Sequence, residues 1–175
     1  LFNRSTLSRL TRGYAWVGME YVQGEFSISS EPFLAVNTYT RITTRCLSPL
    51  EEPDIDHEAQ DTEALDNDLR WDLSIEHLWH VLESVHACAP HAKIVITEHG
   101  IPDHGDRQRR RLIRQTCALL HHAPYVTGYL HWSFTRNAEW ELSPHGNFGV
   151  VDVDFAHGFH RRPGKSYFLV KKLWS

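Results

Sequence analysis

The stretch KIVITEHG, Lys93 to Gly100, decides how this 175-residue chain is read. Its apolar run Ile94, Val95 and Ile96 is β-branched and unbroken, which predicts a strand covered on both faces, as in a parallel sheet. The strand then ends on Glu98, His99 and Gly100. A carboxylate in that position needs a pocket or a partner, because an unpaired buried charge is costly. In parallel α/β sheets the C-terminal strand ends are where function gathers. Glu98 is therefore a candidate nucleophile or general base. The plainer alternative is a glutamate that caps the next loop or pairs with an arginine.

Outward from this strand the chain alternates between elements. PFLAVNTYTR, Pro32 to Arg41, predicts a buried strand that opens into a loop at Asn37. Ser48 to Asp68 is rich in Pro, Asp and Glu and predicts a solvated loop. Ile75, Leu78, Trp79, Leu82 and Val85 have the spacing of an amphipathic helix, with Ser74 placed to cap it and Pro90 to stop it. The strand at Lys93 to Thr97 follows. Asp106 to His122 predicts a second helix, with Leu112, Ile113, Thr116, Leu119 and Leu120 on its apolar side. Arg107, Arg109, Arg110, Arg111 and Arg114 are expected on its solvated face. Tyr125 to Trp132 is the third strand, Phe148 to Phe155 a small hairpin, and Ser166 to Trp174 a last helix. One crossover helix between successive strands implies parallel pairing by right-handed units, an α/β fold.

Those strand ends would carry Asn37 and Tyr39, then Glu98 and His99, then Trp132, Glu139 and Trp140 to one rim. Indole faces stack on the apolar faces of sugar rings, and a carboxylate accepts hydrogen bonds from adjacent hydroxyls, so the set suits a carbohydrate. Composition narrows the rest. The formal charge of -4 argues against a nucleic-acid partner despite the arginine cluster. No apolar run approaches the roughly 18 residues of a membrane span. Cys46, Cys88 and Cys117 are odd in number and widely spaced, as expected of free thiols in the cytoplasm. The 13 histidines show no metal-ligand spacing, so neither a metal nor a cofactor is expected and most histidines are read as surface residues.

Six segments also resemble one family, in order along the chain. FLAVNTYTR is similar to the D-F-x-G-L-N-Y-Y-T strand of glycoside hydrolase family 1, the β-glucosidase family. WDLSIEHLW, Trp71 to Trp79, resembles its W-E-I-Y-P-E-G-L-Y, and ITEHG its I-T-E-N-G nucleophile motif. WSFTRNAEW, Trp132 to Trp140, is similar to W-S-L-x-D-N-F-E-W. NFGVVDVDF, Asn147 to Phe155, resembles R-F-G-L-x-x-V-D-Y/F, and RRPGKS the R-x-P-K-x-S tail.

The resemblance implies a retaining β-glycosidase on a (β/α)8 barrel. Residues 1–175 would form a single partial barrel domain, the C-terminal part with about three βα units and strands six to eight. Carried over by position, Glu98 would be the nucleophile and Tyr39 would orient it. Asn37, Trp132, Glu139, Trp140 and Phe148 would bind the sugar. The family's second carboxyl, from an N-E-P motif, has no counterpart here, and retaining chemistry needs both about 5 to 5.5 Å apart. A barrel takes about 250 residues. The expected partners are a β-glycoside and the missing N-terminal half of the barrel, and the isolated chain is expected to be inactive. The alternative is a non-catalytic sugar-binding remnant. Two departures bear on the site: His99 replaces Asn and, when protonated, would lower the pKa of Glu98, while Arg136 replaces Asp and could pair with Glu139.

Overall fold

The computed structural model describes residues 14–17, 20–23, 33–40, 43–45, 54–56, 66–139 and 146–174. Strands β1 (Tyr14–Val17) and β2 (Glu20–Gln23) form one antiparallel pair. The central sheet is parallel, with β3 (Phe33–Asn37), β6 (Lys93–His99) and β7 (Val126–His131) side by side in chain order. Between β3 and β6 lie the pair β4 (Thr43–Arg45) and β5 (Asp54–Asp56), and helix α1 (Ile75–Cys88). β5 falls inside the stretch expected to be loop, since a three-residue strand with one apolar side chain carries no compositional signal.

Helix α1 starts where the sequence places it. The Ser74 side chain accepts a hydrogen bond from the His77 N–H at 3.3 Å, satisfying a donor the first turn leaves free. Leu78, Leu82 and Val85 then pack against Val36, Ile94 and Ile96 of the sheet, with Leu119 and Leu120 of helix α2 (Arg107–Leu120) beside them. This is the largest apolar cluster among the described residues. Burying a side chain of this size contributes about 1.5–3 kcal/mol, which makes the cluster a strongly stabilising one.

The helices cover one face of the sheet. Ile94 and Ile96 are fully buried, whereas Val95 between them is half-buried, and Phe33 and Ala35 on the same side as Val95 are exposed. The two-faced burial expected of β6 is thus corrected to one. An apolar run has no alternation to tell a strand with two covered faces from one whose second face is open.

The C-terminal hairpin joins β8 (Val151–Asp154) to β9 (His160–Pro163), so its second strand lies beyond the Phe148–Phe155 segment expected to hold it. The turn between them uses positive φ at Gly158 and Phe159. Helix α3 (Lys165–Leu173) packs Tyr167, Leu169 and Val170 against Ile113, Val150 and Val151. Among the described residues no helix is long and apolar enough to cross a membrane.

Candidate active site

The C-terminal ends of β3, β6 and β7 meet at one rim, and two glycines let them come close. A Cβ on Gly100 would stand 1.8 Å from the Trp132 carbonyl oxygen, so only glycine lets the chain leaving β7 pass over the end of β6. The Trp132 N–H then donates to the His99 carbonyl at 3.1 Å. A Cβ on Gly149 would meet the Arg136 nitrogen at 2.1 Å. Without it, segment 133–136 lies along 148–151, with Ser133 N–H to Phe148 O at 3.1 Å and Arg136 N–H to Val151 O at 2.8 Å.

Glu98 is half-buried at this rim. The Tyr39 hydroxyl donates to its Oε2 at 2.6 Å, across 59 residues of sequence. Burial, that hydrogen bond and the charges of Glu98 and Glu139 together push the Tyr39 phenol far above its usual pKa. Tyr39 therefore stays protonated as a donor, and Glu139 lies near enough to act on the same phenol. The Trp132 indole N–H donates to Glu139 Oε1 at 2.9 Å. Asn37 is exposed, and its Oδ1 accepts from the Thr97 hydroxyl at 2.5 Å. Trp140 lies outside the described residues.

Phe148 is buried, 3% exposed, and meets Tyr39 edge-on at 6.1 Å between ring centroids. Trp71 completes a triangle, 5.9 Å from Tyr39 and 5.6 Å from Phe148. Such edge-to-face contacts each add about 0.5–1.5 kcal/mol and hold the phenol's direction. Trp71 is not among the site residues expected from sequence. The available signal was an indole in the polar turn Asn67–Asp72, just ahead of the α1 cap.

Arg136 ion-pairs with Asp152 at 3.3 Å and lies 5.5 Å from the centre of the Phe155 ring. Glu139 instead takes the Trp132 indole. The expected effect of His99 on Glu98 is corrected as well. His99 is 3% exposed, and burial lowers its pKa to about 4, so it is neutral near pH 7 and supplies no charge. His131, partly buried beside it in register, is pushed down to about 3 by burial, by the Arg109 charge and by His99.

Arg109 overturns another expectation. Instead of facing solvent with its neighbours it is 2% exposed, behind the rim. Its guanidinium donates to Asp106 Oδ1 at 2.7 Å, to the Asp103 carbonyl at 2.5 Å and to the Asn147 carbonyl. Its own N–H donates to Asp103 Oδ2 at 3.0 Å. Asp68 accepts from the Asn147 N–H at 3.2 Å and pairs with His104 at 2.6 Å. This network fastens together the three loops at 66–72, 101–106 and 146–149. Among the described residues no three His, Cys, Asp or Glu side chains converge as metal ligands would.

No protein-family profile matches the chain. It is similar to a protein of Arabidopsis thaliana named galactolipid galactosyltransferase SFR2, chloroplastic, with 34% identity over 103 residues, 55% of this chain and 16% of that protein. A β-galactosidase of Saccharolobus solfataricus is 33% identical over 93 residues, 51% of this chain and 19% of the other. Among solved structures, a β-glycosidase from Pyrococcus horikoshii superposes with a TM-score of 0.73 at 27% identity, covering 92% of this chain and 38% of that one. The chain thus spans well under half the length of the proteins it matches, and its α/β arrangement is that of part of a TIM-barrel β-glycosidase.

Proposed function

We propose, from the premise that this chain is a relative of the glycoside hydrolase family 1 β-glycosidases, that it supplies the nucleophile-bearing part of a retaining β-glycosidase. Residues 1–175 would be one partial domain, with β3, β6 and β7 as strands six to eight of the barrel. The observation that carries this reading is the 2.6 Å hydrogen bond from Tyr39 to Glu98 at a rim shared with the Trp132–Glu139 pair. Tyr39 leaves one carboxylate oxygen free and aims it.

In the proposed reaction a Glu98 oxygen bonds to the anomeric carbon as the bond to the leaving oxygen breaks, and that oxygen departs with the electron pair. Water later releases the sugar from Glu98. Asn37, Trp132, Glu139, Trp140 and Phe148 belong to the sugar site, Phe148 as the support behind Tyr39. The acid/base carboxyl and the rest of the barrel come from outside this chain. The exposed sheet face at Phe33 and Ala35, and Leu130 at 57% exposure, support a further layer docking there. Cys88 and Cys117 are free thiols, in keeping with the cytoplasmic, reducing location this reading includes.

The test is covalent labelling with a 2-fluoro β-glucoside whose dinitrophenolate departs without protonation. A sugar adduct on the peptide carrying Glu98, absent in Glu98→Gln, is expected. Ordinary β-glucosides should turn over about 10² to 10⁴-fold more slowly than when an acid/base group is supplied, or slower still. Sugar binding without any adduct would instead favour the non-catalytic module, a reading the Trp132–Glu139 pair alone would support.

A further inference from the structure

The register of β3 against β6 breaks between Val36 and Asn37, just before the segment that carries Tyr39. The regular ladder therefore does not fix that segment. What fixes it is Thr38, which is 8% exposed and held from both sides by successive residues of β6. Its N–H donates to the Glu98 carbonyl at 3.0 Å. Its carbonyl oxygen lies 2.7 Å from His99 Nδ1 and can only accept, so Nδ1 carries the proton.

We propose that His99 is a positioning residue: its Nδ1–H clamps the Thr38 carbonyl and thereby delivers the Tyr39 hydroxyl to Glu98. The proposal rests on the reading of Glu98 as nucleophile for its functional meaning. Adjacent strand residues point to opposite faces, so Glu98 can face the rim while its neighbour holds the segment from behind. His99 Nε2 is enclosed without a hydrogen-bond partner, and burial keeps the ring neutral near pH 7. One proton remains and it sits on Nδ1. This is a tautomer selected by the second bond the ring makes. Relative to Cβ, the Nδ2 of an asparagine occupies the place of histidine Nδ1. His99→Asn therefore keeps the donor, and His99→Leu deletes it.

The test uses the chain with 13Cζ-labelled tyrosine. The Tyr39 signal is assigned by its loss in Tyr39→Phe, and Tyr125 at the far end of the sheet serves as a control of folding. His99→Leu is expected to move the Tyr39 signal toward that of a free tyrosine, His99→Asn to return it, and Tyr125 to stay in place in both. An unmoved Tyr39 signal in folded His99→Leu overturns the proposal. Should His99→Leu not fold, 15N spectra of the histidine-labelled wild-type chain decide: Nδ1–H with bare Nε2 supports the clamp, and Nε2–H overturns it. None of these readouts needs turnover. A clamp present without sugar labelling at Glu98 would remove the glycosidase reading, whereas labelling with an unmoved Tyr39 would remove only the role of His99.

Discussion

Two charged clusters stand on either side of the same strand ends, and they are built in opposite ways. At the rim, Glu98 is half-buried, keeps one oxygen free and is held by a single phenol. In the knot behind it, Arg109 is buried and its two terminal guanidinium nitrogens donate to the Asp106 carboxylate and to two backbone carbonyls, with only Nε left without a partner. A buried charge survives only when its partners are nearly complete, whereas a charge meant for chemistry must keep an unmet valence toward a cavity. The knot spends its polar groups on fastening loops and the rim leaves them available. The pair teaches that residue type does not separate structural from reactive charge. The number of satisfied donors and acceptors does.

Substitutions should separate the two clusters. The largest effect is expected for Arg109→Leu, which removes the buried cation between Asp103, itself buried, and the half-buried Asp106. A loss of about 3–5 kcal/mol should appear as a large fall in the urea midpoint. A loss below about 1 kcal/mol would break the contrast.

Acid should come next. His99 is held neutral down to about pH 4 in the folded chain but takes a proton near 6.5 when unfolded. Between those values the unfolded chain binds more protons, so stability is complete above about pH 6.5 and declines as pH falls toward 4. That single group accounts for roughly 3 kcal/mol over the interval. His131 acts in the same direction, with its window reaching lower, to about 3. Urea melts between pH 7 and 4 should show the slope, and His99→Asn should flatten it.

A smaller loss, about 1–3 kcal/mol, is expected for Gly100→Ala, because the new Cβ forces the Trp132 backbone away from β6. Tryptophan fluorescence should shift with the melt. Least of all, Tyr39→Phe should change stability by only about 1 kcal/mol, since it removes one partly exposed hydrogen bond. Its effect should appear in the rate of sugar labelling at Glu98. A Tyr39→Phe chain that melts like Arg109→Leu would show that the rim, too, is structural.

Legibility followed the range of the interactions. The spacing of Ile75 to Val85 and the Ser74 cap are local, and α1 appears within a residue or two of its expected ends. Both crossovers and the parallel pairing followed from the order of elements. The Tyr39–Glu98 contact was expected only through resemblance, since nothing local joins positions 59 residues apart. Arg109 was misplaced because Arg107 and Arg110 on the same helix are chemically its equals, and only Asp103, Asp106 and Asn147 single it out. Trp71 was missed because its role lies in two rings from other loops.

The amino-acid sequence by itself determined the order of the three sheet strands and their crossover helices and the residue types gathered at the strand ends, because periodicity and capping act within a few residues. Tertiary structure alone decided which face of the sheet is covered, which arginine is withdrawn from water, and which nitrogen of His99 holds its proton. Each of these depends on desolvation by groups distant in the chain, and such groups meet only once the strands lie side by side.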